Sequence, residues 1–189
     1  MRHLPNLITF LRMLLTVPLV WLLHEGRYDM ALGVAVFAGA TDALDGFLAK
    51  RFGWQSWLGG VLDPVADKLL LVACFVSLAQ AEALPTWLAW LVVGRDIVIV
   101  AGAVAYHNLV GPLTAHPTWL SKITTCAQIT LVFATLVHLS RFGELHKAFN
   151  LFLVWGVAAL TLASGIDYVV RWTYKAVQEQ RRRGGELPS

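Results

Sequence analysis

From Leu7 onward the chain alternates apolar runs with short breaks of glycine, proline and charge. A helix needs about 20 mostly apolar residues to cross the hydrocarbon layer of a bilayer, and only helices and closed barrels satisfy their backbone groups there. Measured by that length, the runs predict about six spans, at residues 7–24, 29–49, 60–80, 86–107, 119–140 and 148–172. The breaks are HEGRYD, RFGWQSW, AEALP, HNLVGPLTAHP and SRFGELHK, none long enough for a soluble domain. Of the 189 residues, 57% are hydrophobic and 14% charged, which is more apolar surface than one small water-soluble core buries. The expected fold is an all-α integral membrane protein, with one transmembrane domain over residues 1–175 and a basic cytoplasmic tail over 176–189, whose end RRRGGELPS is expected to be flexible.

The basic start before the first run is not followed by a small-residue cleavage site, so that run is expected to remain as a span. Six spans put both termini on one side. That side would carry Arg2, Lys50, Arg51, Lys122, Arg171, Lys175 and Arg181 to Arg183, against Arg27, Arg141 and Lys147 on the other. The bias in Lys and Arg assigns the richer side to the cytoplasm. The formal charge of +3 is thus spread over span ends, which suits a membrane surface better than nucleic acid. With no transit-like segment ahead of the first span, a bacterial plasma membrane is the expected location. Trp54, Trp57, Trp87, Trp119 and Trp172 lie near span ends and are expected as interfacial anchors. Cys74 and Cys126 lack metal or redox spacing and are expected in the core, and the six histidines are expected at interfaces.

Against this apolar background the stretch TDALDGFLAKRFGWQSWLGGVLDPVADK holds four aspartates. Asp42 and Asp45 are three apart and Asp63 and Asp67 four apart, so each pair shares one helix face at the cytoplasmic ends of the second and third spans. Carboxylates gathered at a membrane edge repel one another unless a cation joins them. Oxygen donors alone suit a hard ion such as Mg²⁺ or Mn²⁺, whereas zinc would recruit Cys or His. Gly46, Ala49, Gly53, Gly59 and Gly60 lie between the pairs and let a ligand approach the backbone. The plainer alternative, solvated helix ends, accounts poorly for two helix-spaced pairs bracketing a glycine-rich turn.

The pattern Asp42-x-x-Asp45-Gly46-x-x-Ala49, eight residues after position 50, then Gly59-x-x-x-Asp63-x-x-x-Asp67, resembles the signature of the CDP-alcohol phosphatidyltransferase family. Lys50 departs from it, since the family usually has arginine there. The likeness extends to Pro5 to Thr9 with Arg12, to Leu62 to Lys68, to Gly94-Arg95-Asp96 and to Ser121-Lys122 with Gln128. It implies a six-helix, homodimeric membrane enzyme that moves a phosphatidyl group from CDP-diacylglycerol to an acceptor hydroxyl and releases CMP. By the same resemblance Asp42, Asp45, Asp63 and Asp67 would hold metal ions, two of them, Mg²⁺ or Mn²⁺. Asp67 would also take the acceptor's proton. Asp42, Gly46, Ala49 and Gly59 would line the CDP site, with Lys50 near the pyrophosphate and Arg51 as its substitute.

Arg95 and Asp96 fall well inside the fourth span, where a charge needs a polar cavity or a partner. Neighbours on a helix point apart, so Arg95 is expected to face the catalytic cavity and bind acceptor or lipid phosphate, rather than pair with Asp96 or Asp167. Lys122 would either join it or snorkel to the headgroups. Glycerol 3-phosphate, as acceptor, brings a phosphomonoester that calls for a more basic site than this chain offers. The expected acceptor is therefore phosphatidylglycerol, as in the cardiolipin synthase branch, with glycerol 3-phosphate as the alternative. A membrane prenyltransferase or an ion carrier could also use aspartates, but with other spacing or with repeats.

Overall fold

The computed structural model describes the backbone of residues 4–52, 57–109, 118–143 and 147–185, and side chains over 10–44, 51, 66–102, 118–143 and 148–174. Six α-helices occupy those stretches: α1 (Leu4–His24), α2 (Tyr28–Phe52), α3 (Trp57–Gln80), α4 (Thr86–Leu109), α5 (Trp119–Leu139) and α6 (Lys147–Gly185). Each expected span coincides with one helix to within a few residues, apart from the far end of the last. There α6, 39 residues long in all, runs through Gly185, so residues 181–185 extend a helix into the end that was expected to be flexible. The sequence KAVQEQRRR is made almost wholly of good helix formers, which accounts for the continuation. Residues 186–189 lie outside the described residues.

Two helices end in the same hydrogen-bonded turn. Beyond α1, Arg27 N–H donates to the Leu22 carbonyl at 2.9 Å and Gly26 N–H to that of Leu23 at 3.2 Å. Beyond α3, Ala83 N–H donates to Leu78 at 2.9 Å and Glu82 N–H to Ala79 at 3.1 Å. Both are Schellman caps, which need a left-handed residue: Gly26 has φ 69° and Glu82 has φ 57°. Glycine meets that need without a steric cost and glutamate does not. Helix α5 is closed at its start by Thr118, whose side chain accepts from Ser121 N–H at 3.2 Å.

Helix α1 packs on α2 and α3, α5 on α6 and α2, α4 on α6 and α3, and α3 also touches α5. Ala31, Ala35 and Ala38 form a stripe of small buried residues along α2, spaced by one helical turn, which lets neighbouring helices come close. Around it Leu19, Leu23, Phe75, Leu78, Leu88, Leu131 and Leu136 are buried. The outside is equally apolar: Val17, Trp21, Phe37, Val100, Phe152 and Ile166 are all exposed. Water would not tolerate such a surface, but hydrocarbon does. Among the described residues Trp119–Leu139 and Ala148–Tyr174 are long and apolar enough to cross a membrane. Trp87 and Trp119 are exposed at the starts of α4 and α5, as interfacial anchors would be. Cys74 is buried as expected, whereas Cys126 is exposed, because it falls on the outward face of α5.

The two caps give a paired prediction. A Cβ at Gly26 would meet nothing within 4 Å, so Gly26→Ala adds only backbone strain. It is expected to lower stability by about 1 kcal/mol, and Glu82→Gly to raise it by about as much. Thermal unfolding in detergent should move in opposite directions for the two variants.

Candidate functional site

One arginine organises the aspartate end of the bundle. Arg12, a little over two turns into α1, is 2% exposed. Its Nη1 donates to Oδ1 of Asp67 on α3, and its Nη2 faces Oδ1 of Asp42 on α2 as an ion pair. The guanidinium is buried while both carboxylate side chains are about half exposed. A burial of this kind requires paired charge, because an arginine cannot shed its proton. Two carboxylates from facing helices meet that requirement and are themselves relieved of mutual repulsion. Thr16, one turn on, donates to the Arg12 carbonyl at 3.1 Å, and Thr41, beside Asp42, returns its hydroxyl to Ala38 at 2.8 Å.

These charges rim a cavity of about 290 Å³. Arg12, Asp42, Asp67 and Lys68 form its polar part, and Ala35, Leu71, Cys74, Ile129, Val132 and Phe133 are among its apolar walls. Small residues on α2 hollow it out: a Cβ on Gly39 would touch Phe133 at 3.9 Å. The space is therefore charged at one end and hydrocarbon-like at the other, the character of a lipid carrying a phosphate.

A second polar cluster adjoins the first through α3. Lys68 pairs with Oδ1 of Asp96 on α4, and Arg95 Nη1 donates to the same oxygen at 2.7 Å. Arg95 Nη2 donates to Ser121 of α5 and to Ser164 of α6, each at 2.7 Å. The expectation that neighbours on a helix cannot pair is overturned here. The guanidinium is long enough to fold back over one residue, and burial of both groups rewards it for doing so. Asp167 pairs with Arg171 of its own helix at 2.7 Å, one turn along, and not with Arg95. Deeper in the α5–α6 seam, Gln128 donates to Thr161 at 3.2 Å and Thr124 to the Leu160 carbonyl at 3.2 Å.

Of the residues singled out from sequence, Asp42 and Asp67 are brought together. Asp45, Gly46, Ala49, Lys50, Gly59 and Asp63 lie on the backbones of α2 and α3, but their side chains are outside the described residues. Arg51 is exposed near the end of α2. Lys122 is exposed with its ammonium 5.2 Å from the Trp119 ring centre, the posture of a snorkelling lysine. Arg12 and Lys68 belong to the stretches that carry the family resemblance, yet no role is expected of them from sequence. Their signal was available, since each is a cation placed inside an apolar run.

Among the described residues no group of three or more His, Cys, Asp or Glu comes together. The two carboxylates that do meet supply hard oxygen donors from facing helices, which fits a hard divalent cation as part of a larger ligand set.

Comparison with known proteins covers the stretch that holds these residues. Residues 2–165 match the family model described as CDP-alcohol phosphatidyltransferase. The human cardiolipin synthase (CMP-forming) is 33% identical over 92% of this chain and 62% of its own length. The CDP-diacylglycerol–glycerol-3-phosphate 3-phosphatidyltransferase of Pseudomonas fluorescens is 35% identical over 87% of this chain and 84% of its own. A probable phosphatidylglycerophosphate synthase of Mycobacterium tuberculosis is 31% identical, over 89% and 81%. The chain thus spans about three fifths of the length of the human relative it matches.

Loss of the Asp96 carboxylate would leave Lys68 and Arg95 facing each other without a counter-charge. Asp96→Ala is expected to lower stability by about 3–5 kcal/mol, whereas Lys122→Ala at its exposed site should change it by about 0.5 kcal/mol or less. Thermal unfolding of the purified variants checks the contrast.

Proposed function

The chain belongs to the CDP-alcohol phosphatidyltransferase family, and from that premise we propose that it transfers a phosphatidyl group from CDP-diacylglycerol to the hydroxyl of phosphatidylglycerol, releasing CMP. The observation that carries this reading is the meeting of Asp42 and Asp67, both members of the signature, at the charged mouth of an otherwise apolar cavity. Six transmembrane spans, with the aspartate end toward the cytoplasm of a bacterial plasma membrane, and a homodimeric assembly complete the proposal.

The cavity's apolar walls would take the lipid part of the donor and exclude water from the reacting phosphate, so that the acceptor hydroxyl is the available nucleophile. Asp42, Asp45, Asp63 and Asp67 would hold divalent ions, two in number and Mg²⁺ or Mn²⁺ by donor type, whose chemistry when bound is to stabilise both the attacking and the departing oxygen. Asp67 would receive the acceptor's proton as its oxygen bonds to the lipid phosphorus and the bond from that phosphorus to CMP breaks. Gly46, Ala49 and Gly59 would leave room for the cytidine, with Lys50 and Arg51 near the pyrophosphate.

For the acceptor, the pairing of the two cations that line the cavity supports a lipid diester. Arg12 is engaged by Asp42 and Asp67, and Lys68 by Asp96. A phosphomonoester of charge near −2 asks for more than these leave available. Glycerol 3-phosphate is the other acceptor that the relatives' names allow.

Purified protein supplied with CDP-diacylglycerol and Mn²⁺ should release CMP and form cardiolipin by mass when phosphatidylglycerol is present. A product carrying a free phosphomonoester, formed from glycerol 3-phosphate, would replace the acceptor. No CMP with either acceptor would defeat the transferase reading. Asp67→Asn should lose turnover by about 100-fold or more while still inserting into membranes, and chelation of divalent ions should abolish activity.

A further inference from the structure

We propose that Arg12 is a positioning residue that sets the spacing of Asp42 and Asp67 before a divalent cation is bound, a role that rests on the transferase reading above. Arg12 is the largest of the fully buried side chains, and the helix that bears it packs on α2 and α3 and on no other helix among the described residues. Helix α1 thus delivers its one described charge to the two helices that carry the aspartates. The guanidinium is a rigid planar group that hydrogen-bonds Asp67 through Nη1 and pairs by charge with Asp42 at Nη2, so it limits how far apart the two carboxylates lie. Without that bridge, the like-charge repulsion between two half-exposed carboxylates on separate helices would lose the guanidinium that offsets it. The cation would then have to gather its ligands at its own expense, as metal sites do when their outer partners are removed.

The rival reading is that Arg12 merely competes with the cation for the same oxygens. The two differ in sign. A competitor's removal tightens cation binding, whereas a positioner's removal weakens it. Arg12→Gln removes the charge, and Arg12→Lys keeps it but offers one nitrogen where the arginine offers two. The lysine variant preserves the buried charge balance and is the one to read if the glutamine variant fails to fold.

The probe is Mn²⁺ itself, followed by electron paramagnetic resonance on the full-length protein in detergent, beside CMP release. Both variants are expected to bind Mn²⁺ more weakly by about 10- to 100-fold. Turnover at saturating Mn²⁺ should fall as well. Tighter Mn²⁺ binding by Arg12→Gln assigns the arginine as a competitor and overturns the proposal. So does unchanged Mn²⁺ affinity in a folded Arg12→Lys variant, whatever its melting temperature. A wild type that binds no Mn²⁺ and releases no CMP sinks the transferase reading and this role with it. A wild type that does both, beside variants that bind equally well, removes the role of Arg12 alone.

Discussion

An arginine side chain surrounded by apolar helices must find opposite charge within reach, because it can neither deprotonate nor recruit bulk water. In this protein that requirement is met by Asp42 and Asp67 together, and much of the bundle's arrangement is tied to it. Helix α1 has to lie in the groove between α2 and α3, at the height where both carboxylates are available. The alanine stripe of α2 makes the approach close enough, and the cavity opens where small residues on α2 leave α5 unmatched. Charge pairing and packing therefore specify the same placement of the first three helices.

Asp67 and Lys68 are consecutive on α3, so their side chains leave the helix about 100° apart. One points to the Arg12 pair and the other to Asp96, which joins the two polar clusters across a single turn of backbone. Helix α3 also contacts α1, α4 and α5, which places it between the cluster that would carry the chemistry and the one that ties α4, α5 and α6 together through Arg95. The second cluster is richer in cation than in carboxylate, with Lys68 and Arg95 on one Asp96 oxygen and serines completing the guanidinium's bonds. Its role in the fold is to join helices that hydrophobic contact alone would let slide, since side chains packed against lipid-like neighbours have little preference for one register.

The helices were legible because hydropathy is a property of twenty-residue windows, too coarse to be disturbed by any one residue. The spans from 7–24 to 119–140 accordingly match α1 to α5 closely. The far end of α6 was not legible by that measure, since residues beyond 172 are polar and only their helix propensity speaks. The aspartates announced themselves through helical spacing, a local signal. Arg12 did not acquire a role, because its partners lie on other helices, 55 residues away in the case of Asp67. The placement of Arg95 was misjudged for a different reason: backbone direction governs where a Cβ points, not where a side chain of that length can end. The pairing of Arg12 and Lys68 with aspartates on other helices was likewise not legible, because counting basic residues does not tell which of them are already engaged.

The order of the bridging charges along the chain bears on how the protein enters a membrane. Arg12 lies on α1, which is made before the helices α2 and α3 that bring Asp42 and Asp67. A charged helix offered alone to hydrocarbon is poorly retained there, and its cost falls once partners neutralise it. In the six-span arrangement proposed above, α1, α2 and α3 would best enter lipid as one unit, since Arg12 meets both of its counter-charges only once α3 has been made. The residue pairing that would later hold a catalytic centre would, in that sequence of events, first serve as the lock that commits the nascent chain to the bilayer.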